Sequence, residues 1–132
     1  MSAIFVDLQN KGNPDNGTTV ADVTSVKALL KKNTVREPFT CQLIYQDETE
    51  LLIGLGPKLC FVQHSSTSGD PPYLVAYLDS LRMRTGEEEF LIDDTPTEIR
   101  RNQCIPLDVL LDVAAHFVET GGRSSAVLWE DA

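Results

Sequence analysis

Residues 104–131, CIPLDVLLDVAAHFVETGGRSSAVLWED, decide how the rest of the chain is read. Pro106 suits the first position of a helix, where its missing N–H would have had no partner. Leu107, Leu110, Leu111, Ala114, Phe117 and Val118 recur three and four residues apart and form one apolar stripe. Asp108, Asp112, His116 and Glu119 fall on the other side, and Asp108 sits in the first turn, where a carboxylate complements the helix dipole. Gly121 and Gly122 supply the positive φ that ends such a helix. Residues 123–125 turn the chain, and residues 126–129 are predicted as a short buried strand, with Trp129 in the core and Glu130 placed to pair with Arg123.

Working back from this helix–strand unit, residues 3–8 have the pattern of a first strand and the Asn- and Gly-rich residues 9–18 that of a loop. Thr19 or Asp22 caps a helix over residues 23–32, with Val23, Val26, Leu29 and Leu30 as its buried stripe and Lys31 and Lys32 at the favourable end of its dipole. Strand-like runs follow at 39–46, 50–55, 59–63, 73–78 and 89–92, with turns at Asp47-Glu48-Thr49 and Gly56-Pro57-Lys58 and a polar loop at 65–72. Thr95-Pro96-Thr97 is expected to break the chain before an extended Glu98-Ile99-Arg100. Short connections favour antiparallel pairing, because parallel strands need a long crossover. The expected architecture is α+β: a mostly antiparallel central sheet of about six to seven strands with two packed helices.

A chain of 132 residues with 42% hydrophobic and 23% charged side chains is expected to form one domain, residues 1–132, with a real core. Its 11 basic and 20 acidic residues leave a net charge of −9, a field that repels phosphates and anionic membranes and attracts basic partners. Direct nucleic-acid binding is thereby disfavoured, although the same charge also serves plain solubility. The three cysteines, Cys41, Cys60 and Cys104, cannot all pair and include no CxxC, so buried free thiols in a reducing compartment are expected. Residues 1–10 lack the pattern of a signal peptide and no apolar run reaches 18 residues, so the expected location is cytoplasmic, away from the membrane.

The C-terminal block, with Asp70-Pro71-Pro72-Tyr73-Leu74-Val75-Ala76-Tyr77-Leu78 and Glu88-Glu89-Phe90, resembles the first-numbered immunity-protein family of bacterial polymorphic toxin systems. Matching features are Ile105-Pro106, Thr120-Gly121, Arg123 and Trp129-Glu130, and the likeness is clearest over residues 51–131. Gly122 is inserted where a shorter turn is usual, and Ser124 stands where proline is common. The resemblance implies a non-catalytic protein without cofactor that binds and neutralises a cognate toxin, often a nucleic-acid deaminase. An acidic inhibitor can fill the basic substrate groove of such a toxin in place of phosphates.

The densest acidic feature is Glu87-Glu88-Glu89 with Asp93, Asp94 and Glu98, a predicted one-sided ribbon on which Glu87, Glu89 and Asp93 share a face. Either it grips a partner or it is a solvated edge whose charge prevents sheet-to-sheet aggregation. Asp47 and Glu48, with Glu50, form a weaker second patch, and Arg100 and Arg101 are expected as internal counter-ions. Asp108, Asp112 and His116 stack at four-residue spacing but lack further ligands, so no metal site is expected and a solvated helix face is the better reading. His64-Ser65-Ser66 lacks an acidic orienter and a glycine elbow, and Gly54-Leu55-Gly56 lacks the strand-loop-helix setting of a phosphate cradle. Two other classes compete with a toxin inhibitor: a small-ligand-binding or regulatory α+β module, and a hydrolase or transferase using His64 or His116. Homo-oligomerisation is not indicated either way.

Overall fold

The computed structural model describes residues 2–132. Its α+β architecture matches the expectation, with ten strands and two α-helices among the described residues. In chain order these are β1 (Ala3–Asp7), β2 (Thr19–Val20), α1 (Val23–Lys32), β3 (Phe39–Tyr45), β4 (Thr49–Leu55), β5 (Leu59–Ser66), β6 (Leu74–Tyr77), β7 (Glu87–Ile92), β8 (Thr95–Arg100), β9 (Ile105–Pro106), α2 (Leu107–Thr120) and β10 (Leu128–Asp131). Seven strands run side by side as β10-β6-β5-β4-β3-β1-β2, all antiparallel, and the β7–β8 hairpin joins β3 through one parallel bridge, Phe39 to Leu91.

Period-two alternation divides the sheet into two faces. Cys41, Leu43, Leu51, Ile53, Leu55 and Val62 point to one side, where they meet Leu110, Ala114, Phe117 and Val118 of α2 and Val26 and Leu30 of α1 in the main core. Phe61 and Val75 point to the other side and meet Phe90 of β7 and Cys104 in a second, smaller cluster. All three cysteines are free and buried. Burial pushes the Cys60 and Cys104 thiols up to about 12, so they pack as apolar groups.

Local chemistry explains the element ends. Asp22 is the cap of α1, accepting from the Ser25 backbone N–H at 2.7 Å, and Lys31 and Lys32 occupy the last turn. Val23 departs from the expected stripe: it is 37% exposed, because α1 turns only Val26, Leu29 and Leu30 inward. Pro106 is the extended residue before α2 rather than its first helical residue, since it also pairs with Leu59 of β5. Of the two glycines, Gly121 alone has positive φ, at 71°. A side chain there would meet the Tyr45 ring at 2.5 Å, so conformation and space both require glycine.

Four other expectations are corrected. The last strand lies two residues later than read, at Leu128–Asp131; Val127 is buried ahead of it, and Trp129 is half-buried against the core edge, donating from Nε1 to the Ser124 carbonyl at 2.9 Å. Glu130 pairs with Arg82 at 2.9 Å, not with Arg123, because β10 lies against β6 and not against its own preceding turn. Thr95-Pro96-Thr97 does not break the chain but belongs to β8, where Pro96 faces Leu91. β8 pairs only with β7, so its free edge tolerates a residue without an N–H. Ser65 and Ser66, read as loop, extend β5.

Candidate partner-binding surface

The acidic run folds into the β7–β8 hairpin, whose register sets Glu87 opposite Arg100, Glu89 opposite Glu98 and Phe90 opposite Thr97. Alternation sends Phe90 and Ile92 towards the sheet and leaves Glu87, Glu89 and Glu98 on the outward face. The Phe90 ring lies flat on Gly54, where a Cβ would sit 2.8 Å from its Cγ. Between hairpin and sheet runs an apolar cleft of about 220 Å³, walled by Leu52, Phe61, Phe90, Ile92, Thr97 and Ile99.

On the outward face the carboxylates crowd one another. Glu98 is held above the ordinary carboxylate range, chiefly by a hydrogen bond shared with Glu87 and then by the charge of Glu87 and Glu89. Like charges directly across a strand pair oppose folding, so this arrangement is not explained by stability alone.

The other sequence-predicted residues are distributed differently. Glu88 turns to the opposite face and approaches Arg101 at 3.7 Å. Arg101 is thus a counter-ion as expected, whereas Arg100 faces Glu87 in the register without an ion pair among the described residues. Asp93 does not share the ribbon's face, because Asp93 and Asp94 form the hairpin turn, with φ of 50° and 63°. Two hydrogen bonds of 2.6 and 2.7 Å link Asp94 to the Gln9 side chain, and the Asp93 N–H donates to the Leu8 carbonyl at 3.1 Å. Asp47 and Glu48 are exposed in the β3–β4 turn, after Tyr45, whereas the hairpin meets β3 at Phe39. The two acidic patches therefore flank opposite ends of β3.

The tether at Gln9 has its own anchor, which sequence reasoning missed. Asp7, only 2% exposed, accepts from the backbone of Gln9 and Asn10 and the side chain of Asn13, each at 2.8 Å, and from Arg36 at 2.5 Å. Burial works to raise its pKa, but the Arg36 guanidinium and the other donors outweigh it and hold the carboxyl below the ordinary range. The only signal in the sequence was an aspartate at the end of an apolar strand ahead of an Asn-rich loop.

His64 and His116 are placed for other uses. His64 is half-buried with Phe117 and Trp129 ring centroids at 5.9 and 6.2 Å, and its Nε2 donates to the Gly121 carbonyl at 3.0 Å. Burial lowers its pKa, against the pull of the Gly121 hydrogen bond, and so favours the neutral imidazole. His116 is exposed, and the neighbouring Asp112 is paired with Lys27 at 3.0 Å. Among the described residues no group of three His, Cys, Asp or Glu is placed to hold a metal ion. No helix there is long and apolar enough to cross a membrane.

A family model described as immunity protein Imm1 matches residues 11–131. That span takes in both helices, the hairpin and the last strand. No curated protein matches the sequence significantly.

Proposed function

This chain belongs to the Imm1 family of immunity proteins, and from that premise we propose that it neutralises its cognate toxin by laying the β7–β8 hairpin into the toxin's basic active-site groove. The observation that carries this reading is the outward cluster of Glu87, Glu89 and Glu98 on a strand pair with a free edge. Their mutual repulsion disfavours the free protein and is relieved when lysines or arginines of a partner come between them. Asp93 and Asp94 extend the negative rim at the hairpin turn, and Asp47 and Glu48 form a secondary contact. Glu88, turned inward, supports the hairpin from behind.

A groove that binds DNA or RNA is basic, and a chain of net charge −9 is drawn to it while being repelled by nucleic acid itself. The toxin is accordingly proposed to be a nucleic-acid deaminase, as the family resemblance implies, and the inhibitor to be a non-enzymatic cytoplasmic domain acting by occlusion. A stable complex of this kind buries about 1,600 Å² in all.

The test is co-purification with a candidate toxin domain, sought at the C-terminus of any large secreted protein encoded immediately upstream, followed by a deamination assay. A stoichiometric complex that blocks deamination supports the reading. Replacing Glu87, Glu89 and Glu98 together by Lys is expected to slow association and weaken protection with folding intact. Unchanged affinity removes the ribbon from the interface.

A further inference from the structure

The hairpin that carries the acidic ribbon also borders a group of cations. A cleft of about 520 Å³ is lined by Lys58, Arg84, Thr85, Glu88 and Arg101, over an apolar floor of Leu59 and Pro106. A second cleft of about 300 Å³ shares Arg84 and Thr85 with it and adds Glu87, Arg100 and Asn102. The two adjoin along Arg84-Thr85. Together they gather four cations against two carboxylates, in a chain whose net charge is −9. Of the four, only Arg101 has an acidic partner within 4 Å among the described residues, and that contact, with Glu88, is long at 3.7 Å. Exposed Lys58 and Arg84 line the first cleft, and exposed Arg84 and Arg100 line the second.

Glu87 belongs to both features: it lines the second cleft and begins the outward acidic cluster. The hairpin thus presents negative charge on its face and positive charge at its base, one cross-strand pair apart, at Glu87 and Arg100. We propose that this paired cleft docks an acidic segment of the toxin, two or three carboxylate side chains in extended chain, at the same time as the toxin's basic groove covers Glu87, Glu89 and Glu98. The inference rests on the hairpin being the toxin-facing element and adds the second half of the contact.

An acidic polypeptide fits better than a nucleic acid. A polynucleotide would carry its remaining phosphates across Glu87, Glu89 and Glu98 and into the field of the whole chain, whereas a short acidic segment ends within the cleft. Flat, forked guanidiniums of Arg84, Arg100 and Arg101 also match carboxylates in bidentate geometry. A bipolar contact has a consequence a purely acidic one lacks. It admits one docking orientation and sets like charges against any partner whose groove is bordered by further basic residues.

The probe is hexaglutamate, titrated into the isotope-labelled full chain while backbone amides are followed by NMR. Shifts confined to residues 84–88, 100–103 and 58–59, lost in Arg84→Glu/Arg100→Glu, are the expected result. No shift at those amides overturns the proposal, and so does a stronger effect of hexathymidylate at the same positions, which would make nucleic acid the occupant. If the double variant proves misfolded by circular dichroism, Arg84→Gln alone is used, with a weaker titration expected and an unchanged one counting against the proposal. With the captured toxin domain, the double variant should dissociate about tenfold faster, a change that its more negative net field does not by itself produce. Equal rates again overturn it. Failure of the wild-type chain to capture the toxin overturns the proposed function instead, and the hexaglutamate result is read independently of it.

Discussion

The two faces of the sheet are built to different depths. One is sealed by two helices and continuous with a core that includes Phe5, Phe39, Leu43, Ile53, Leu110 and Phe117. The other is covered over part of its length by a two-stranded ribbon, whose cluster has four fully packed members, Phe61, Val75, Phe90 and Cys104. A thick core resists change because every displacement meets many neighbours, whereas a thin one lets its cover shift at small cost. Apart from Asp47 and Glu48, the proposed contact residues lie on or beside the thin side's cover. The helices keep the sheet's shape, and the hairpin, tethered at its turn through Gln9 and Leu8, covers the side proposed to meet a partner.

The largest expected effect separates the two faces directly. Phe117→Ala should lower unfolding free energy by about 3–5 kcal/mol, since its ring is fully buried against Tyr45 and His64. Phe90→Ala, equally buried, should cost no more than about 3 kcal/mol, because the hairpin can close over the space. Equal losses in urea denaturation would mean that the hairpin is as firmly held as the helices.

Next comes Asp7→Asn, expected to cost roughly 2–3 kcal/mol, less than a fully buried pair because Arg36 reaches water. Its pH dependence has a definite sign. The folded carboxyl titrates below its unfolded value of 3.8, so its stabilisation is present above that value and disappears as pH falls through the lower folded one. Wild type should lose stability on acidification to about pH 3, and the variant should lose less. Because Asp7 holds Gln9 and Gln9 holds Asp94, amide exchange in the hairpin turn should quicken in the variant.

Gly54→Ala is milder and more local. Its methyl group displaces the Phe90 ring, for an overpacking cost of about 1–2 kcal/mol, with faster exchange over residues 87–100 and unchanged protection in α2. Protection lost everywhere would show that the thin face is not a separate unit. The smallest effect is Glu98→Gln, which removes one of three crowded carboxylates. The free protein should become slightly more stable while toxin association slows; a less stable variant would contradict the repulsion inferred from its raised pKa.

Helix α2 was legible because its signals are local: proline before it, apolar spacing within it, and glycine after it. The hairpin was half legible. Glu87, Glu89 and Phe90 revealed a strand by alternation, but Pro96 read as a breaker and hid its partner. The turn lay earlier, at Asp93-Asp94, where aspartate accepts the left-handed conformation that most residues avoid. The last strand was displaced because the apolar run 126–129 drew the prediction inward, whereas pairing with β6 selects Leu128–Asp131 and leaves Leu128 46% exposed. Pairings of distant residues left no trace in the sequence: Glu130 with Arg82, Gln9 with Asp94, and Lys58 with Arg84 on the walls of one cleft. The candidate site was therefore legible as a charge run but not as a surface with two signs.

The borders of the sheet have a consequence for life at high concentration. One end of the strand order is the two-residue β2 and the other the four-residue β10, while β8 offers a free edge interrupted by Pro96 and charged at Glu98 and Arg100. None gives a second copy a long row of amides to extend. Edge-to-edge growth into fibrils is thereby disfavoured even where copies of the chain are crowded together.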